Sequence, residues 1–258
     1  MTTPRKGTSR MADIPADILA QLHAGTLETR TLTEGLALDF AILAESAVPD
    51  LPESDLALIR ESAERGVTRR MELVGAILLR HFGLDDIDRF VAHPSDTVRG
   101  WACFAIGLTP KLKLKDRLAR IRPLADDPHF GVREWAWLPI RSHLAANVSH
   151  AVKLLLPWTA EASPFLRRFA VEATRPRGVW ASHIQVLKDN PALGLPLLEP
   201  LRADPERYVQ DSVANWLNDA GKSQPAWVRE VCARWRSESD SSATAYILKR
   251  AQRNLGGR

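Results

Sequence analysis

Apolar residues recur along most of this chain at spacings of three and four, the period of an amphipathic helix, and no stretch alternates with a period of two. The spacing predicts helices over 12–24, 33–45, 54–65 and 68–81. Thr31 or Thr33 would cap the second of these and Ser54 the third, and Gly83 would end the last. From Asp85 onward the pattern repeats. Residues 92–108, 126–140, 161–174 and 203–219 each carry a turn with proline, then a branched apolar residue, then a helical stripe. Anchored on Val98, Val132, Leu166 and Val209, the spacings are 34, 34 and 43 residues, a period that belongs to stacked helical pairs. Helices over 114–124, 148–156 and 193–202 would complete the pairs. The expectation is an all-α superhelical solenoid of five or six pairs, with a curved inner surface lined by the anchor helices.

The pattern D-P-x-x-x-V-R, followed by small and apolar residues, resembles the inner helix of a HEAT-type repeat, which implies a HEAT-like solenoid; three residues past the anchors stand Trp101, Trp135, Phe169 and Ser212. Trp101, Trp135 and Trp216 fall on or near the packing stripe and are expected in the core, whereas Trp137 lies off it and could face the groove. A disordered leader is expected over 1–11 and a single repeat domain over 12–255.

Composition narrows the classes only a little. A chain of 258 residues, 45% of them hydrophobic, can bury a sizeable core. The formal charge of +4 and the dominance of arginine, 27 of 35 basic residues, favour a polyanionic partner. Cys103 and Cys232 form no metal-binding pattern, and no run of 18 apolar residues occurs, so a cytoplasmic protein without metal, cofactor or membrane span is expected.

The chemistry concentrates in SPFLRRFAVEATRPRGVW, residues 163–180. Arg167, Arg168, Arg175 and Arg177 surround one carboxylate, Glu172, and the stretch ends on Trp180. Pro176 should stop the helix and turn the chain, holding two arginines on a stiff corner. Guanidinium groups beside a carboxylate and an indole suit a phosphate backbone and a cationic base. A plainer reading fits the same residues, with Glu172 merely paired to Arg168 or Arg175 and Trp180 in the core.

EATRPRGVW (172–180) resembles the S-E-G-x-R-P-R-L-P-W segment of the AlkC branch of the AlkC/AlkD-type DNA alkylation repair glycosylases. YVQDSVANWLNDAGKSQPAWV (208–228) resembles the next repeat of that branch, where the helix ends in N-D-x-x-K, and RTLTEGLALDF (30–40) is similar to its N-terminal region. The resemblance implies a DNA glycosylase, a hydrolase that removes small cationic adducts such as N3-methyladenine from double-stranded DNA. It implies catalytic roles for Glu172, Asp219 and Glu134, and lesion contact by Trp180 and Trp137. Arg167, Arg168, Arg175, Arg177 and Lys222 are the candidate DNA contacts of a basic concave groove, and the protein is expected to act as a monomer in the bacterial nucleoid.

The chain departs from the family pattern as well. Leu138 stands where the E-F-A-x-R-P-F run has arginine, Ala173 where the R-P-R segment has glycine, and Gly178-Val179 where it has Leu-Pro. A relative that binds nucleic acid without cutting it, and a protein-interaction scaffold, are the alternatives. Asp219 also has a plain reading, as a helix-end residue paired with Lys222.

Overall fold

The computed structural model describes residues 5–178 and 180–255, so residues 1–4 of the expected leader lie outside the described residues. All regular elements among the described residues are helical, and none is long and apolar enough to cross a membrane. The described residues group into two compact units. Residues up to 112 with 128–139 form one; residues 113–127 with those from 140 onward form the other.

In the first unit, Arg5 and Thr8 are bound to the Leu32–Ala37 helix through Glu34. Arg5 donates from Nη1 and Nη2 to the two carboxylate oxygens of Glu34 at 2.6 and 2.7 Å, and the Thr8 amide donates to Glu34 Oε1 at 3.1 Å. Glu34 is fully buried, and its bond from Arg5 holds its carboxyl down at about 2 against the opposing effect of burial. Residues 5–10 are thus tied down where a disordered leader was expected. The helix expected over 33–45 is two helices, Leu32–Ala37 and Phe40–Ala47, because the Asp39 side chain captures the amides of Ala41 and Ile42 and starts a second one. Ser54 is not the cap of its helix, which runs Glu53–Glu61 after Pro52. At Gly83 (φ 70°) the long Val67–Asp86 helix loses helical geometry, a backbone state glycine tolerates.

Successive anchor helices pack side by side. In the first unit these are Val67–Asp86, Asp96–Leu108 and Phe130–Trp137; in the second they are Pro164–Glu172, Arg207–Gly221 and Ser242–Ala251. The last supplies a fifth repeat, anchored on the fully buried Ile247, that the proline-turn pattern does not reveal. Contact is close enough to exclude a side chain at Gly100, where a Cβ would lie 2.8 Å from Trp135 Cδ1.

The residue after each anchor has a common task. Arg99 reaches back to the carbonyls of His93 and Pro94, Arg133 to Pro128, Arg167 to Glu161 and Ala162, and Gln210 to Asp204 and Pro205. A proline turn leaves carbonyls that no helix satisfies, and a donor one residue past the anchor reaches them. This is the physical content of the D-P-x-x-x-V-R pattern.

Candidate nucleic-acid interface

The second unit assembles most of the expected residues around one guanidinium. Helix Pro164–Glu172 ends two residues sooner than its apolar stripe suggests, with Ser163 capping its start and Ala173 its end. Glu172 therefore sits in the last turn, beside the middle of the neighbouring Arg207–Gly221 helix. Its Oε2 accepts a short hydrogen bond from Ser212 Oγ, its Oε1 accepts from Arg175 Nη1 at 2.7 Å, and Arg168 Nη2 lies 3.7 Å from Oε2. Arg175 then turns its other side to the next repeat, donating from Nε and Nη2 to Asp219 Oδ2 at 2.9 and 2.7 Å. Lys222 Nζ meets Asp219 Oδ1 at 3.0 Å. Glu172 is 5% exposed and Asp219 3%.

Burial alone would raise the pKa of Glu172; the charges of Arg168 and Arg175 and the bonds from Ser212 and Arg175 outweigh it and lower it. Burial acts to lower the pKa of Arg175, and its two carboxylates overcome this and raise it. The centre is accordingly a carboxylate–guanidinium–carboxylate bridge in which both Glu172 and Arg175 keep their charge.

Arg177, past the proline corner, donates from Nη2 to Ser223 Oγ at 2.8 Å and from Nε to the Asp219 carbonyl at 3.4 Å. Arg168 also stacks over the Tyr208 ring, 4.3 Å from its centroid. Trp180, expected either at the lesion or in the core, is 59% exposed and holds a left-handed backbone (φ 59°), a strained state for a bulky residue. It is not core.

Two expected contacts are corrected and one is set apart. Arg167 spends its guanidinium on the turn and on Asp204, to which Nε and Nη2 donate at 2.7 and 3.1 Å, so it does not belong with the cations available to DNA. Trp137, placed in the groove by its register, is 4% exposed and its indole N–H donates to Glu134 Oε2 at 3.0 Å. The short Phe130–Trp137 helix ends at that residue, so the straight-helix angle that set it off the stripe does not hold there. Glu134 and Trp137 belong to the first unit, whereas Glu172, Arg175 and Asp219 belong to the second. Trp101 and Trp216 are core as expected; Trp135 is half-buried against Phe104.

Sequence reasoning missed Arg141. This arginine is buried, and it donates from Nε to the Ser182 carbonyl at 2.8 Å, from Nη1 to Ala173 at 3.0 Å, and from Nη2 to Arg175 in a short contact. Burial and the neighbouring Arg175 bring its pKa down to about 10, leaving it charged at neutral pH.

Ionised carboxylates set among a larger number of cations, with a strained exposed indole on the adjoining loop, make a helical-repeat surface suited to a charged backbone and a stacked base. Residues 132–255, just under half of the chain, match the family described as DNA alkylation repair enzyme. The fold is similar to that of the Pseudomonas fluorescens alkylpurine DNA glycosylase AlkC, solved bound to DNA containing an abasic site analog. Identity is 21% and the TM-score 0.69, over 96% of this chain and 65% of that one. AlkD2 from Streptococcus mutans is 20% identical with a TM-score of 0.62, over 80% of this chain and 99% of that one. The uncharacterised Bacillus subtilis (strain 168) protein YhaZ is 35% identical over 135 residues, 52% of this chain and 36% of that one. The chain thus spans about a third of YhaZ and just under two thirds of AlkC. The all-helical, HEAT-like repeat fold is shared with AlkC and AlkD2.

Proposed function

We propose that this protein is a monomeric DNA glycosylase that hydrolyses the N-glycosidic bond of small cationic alkylated bases, such as N3-methyladenine, in double-stranded DNA. The observation that carries the reading is the bridge itself: Arg175 holds Glu172 and Asp219, from successive repeats, in one place beside the loop of Trp180. An N3- or N7-alkylated purine already bears positive charge and leaves without a general acid. The barrier lies in the oxocarbenium ion that forms on the sugar, and a fixed carboxylate stabilises that charge and positions water. Lys222, with 44% of its side chain exposed, is the partner that DNA phosphates draw away from the Asp219 carboxylate, opening it to the sugar, and Arg177, which bonds the Asp219 main-chain carbonyl and Ser223, is a second phosphate contact. A basic groove formed by these groups is part of the proposal. Glu134 is retained as a candidate third carboxylate on the resemblance alone.

A second reading has its own support. Arg141, Arg168, Arg175, Arg177 and Lys222 outnumber the two carboxylates they surround, and Leu138 replaces a family arginine, so the site also suits binding of DNA without chemistry. Incubating the protein with methylated DNA and identifying released bases by mass separates the two. The glycosylase reading expects release from the parent and a loss of about two orders of magnitude or more in Glu172→Gln and Asp219→Asn, with DNA affinity kept or raised. No release from any methylated substrate by the parent leaves the binding reading; parental rates in both variants refute the carboxylate mechanism.

A further inference from the structure

The loop that follows the arginine corner carries the most exposed aromatic side chain of the second unit among the described residues, Trp180, yet it is anchored from beneath by a buried charge. Arg141 bonds the carbonyls of Ala173 and Arg175 where the loop leaves its helix, and the carbonyl of Ser182 where the loop returns. Trp216 Nε1 takes the intervening carbonyl of Thr174 at 3.0 Å. Three consecutive carbonyls at the C-terminus of helix Pro164–Glu172 are thereby satisfied by side chains from elsewhere, and a cation at that end complements the helix dipole. The Ile184 amide closes the loop on the Pro176 carbonyl at 3.0 Å. Gly178 completes the fit: a Cβ there would lie 2.9 Å from Arg141 Nε, so the loop can rest on the guanidinium only because residue 178 has no side chain.

We propose that Arg141 is a positioning residue that ties the start of the loop, at Ala173 and Arg175, to its end, at Ser182, and so presents Trp180 to damaged DNA. A left-handed tryptophan that is mostly solvated has little packing of its own to hold it there, so the strain must be borne by the loop ends. One planar guanidinium spanning both ends does this with a rigid fork; an ammonium has neither the plane nor the reach to serve the same three carbonyls. The role of Trp180 in this inference rests on the functional reading above, while the anchoring by Arg141 does not.

The test uses the full chain with Arg141→Lys, and with Gly178→Ala as a second variant that pushes on the same guanidinium without removing it. Hydrogen exchange of the amides of 177, 178 and 180–183 is expected to speed up by about tenfold or more in both, with the Arg207–Gly221 helix unchanged as an internal control. Affinity for duplex carrying an abasic-site analogue, relative to undamaged duplex, is expected to drop in Arg141→Lys as it does in Trp180→Ala, and not to drop further in the double variant. Unchanged loop exchange in Arg141→Lys overturns the anchoring. Faster loop exchange with fully additive losses of discrimination overturns the action through Trp180. A parent that does not distinguish the two duplexes refutes the lesion-contact role of Trp180 and with it the presentation step, whereas the exchange result decides the anchoring by itself.

Discussion

Replacing Arg175 with methionine removes the shared partner of two buried carboxylates while keeping much of the side-chain volume. Each ion pair of Arg175 is worth about 4 kcal/mol gross at an effective dielectric near 20. Much of that is offset by the cost of burying the guanidinium, and breaking a buried pair typically costs about 3–5 kcal/mol net. Glu172 would keep Ser212 and the longer approach of Arg168, and Asp219 would keep Lys222, so the lower half of that range is expected near pH 7. The pH dependence gives the sharper check. In the parent the Glu172 pKa lies below its unfolded value, so its contribution is present above the unfolded pKa and fades as pH falls through the folded one. In Arg175→Met the charge of Arg168 and the Ser212 bond still lower the Glu172 pKa, but the charge and hydrogen bond of Arg175 are gone and burial acts against what remains, so the folded pKa rises and protonation relieves the variant. The gap between parent and variant in urea unfolding should therefore shrink as pH is taken from 7 to about 4. A loss under about 1 kcal/mol at pH 7, or a gap that does not change with pH, would refute the claim that Arg175 helps hold Glu172 ionised.

Arg167→Ala should cost roughly 2–4 kcal/mol, because it leaves Asp204 and two turn carbonyls without their donor, yet leave the salt dependence of DNA binding unaltered. Arg177→Ala should do the reverse, lowering the slope of log K against log salt by about one charge with little change in melting temperature; equal slopes for both variants would show that the assignment by geometry is wrong. Gly194→Ala would drive a methyl group into the buried Trp216 ring and should destabilise by about 1–3 kcal/mol in a urea titration.

The repeats were legible because two local requirements coincide in them, an apolar anchor and a donor for the turn behind it. The fifth repeat lacks a proline in its turn, SESDSSATAYIL, and so gave no signal although Ile247 is as buried as Val209. The helix expected over 193–202 is instead a series of single turns, since Pro191, Pro196 and Pro200 each open a new turn and none can continue an old one. At the site, Glu172, Arg175 and Asp219 could be found through a motif because each is fixed by its place within a repeat. Arg141 could not, because all its partners are backbone carbonyls, which leave no trace in residue identity. Arg167 was misassigned for the opposite reason: counting arginines in a cluster ignores register, and its register matches that of Arg99 and Arg133, both turn donors.

Register also orders the events of binding. To give Arg175 to a phosphate, the protein would have to leave Glu172 and Asp219 buried without it, a loss of several kcal/mol against the about 1 kcal/mol that one exposed phosphate contact returns. Lys222 is nearly half exposed, and it shares Asp219 with Arg175, so releasing it leaves the carboxylate still paired. Arg177 is held by a serine hydroxyl and a carbonyl, neither of which bears a charge that its departure would strand. On the proposed function, a DNA backbone would therefore engage Lys222 and Arg177 first and leave the bridge intact. On that account Lys222→Ala should weaken binding to undamaged and damaged duplex by the same factor, in proportion to one lost charge, while Arg175→Met should cost stability before it costs affinity. Affinity lost in Arg175→Met beyond that of Lys222→Ala, measured on folded protein, would mean that the central guanidinium itself leaves its carboxylates to meet the phosphate.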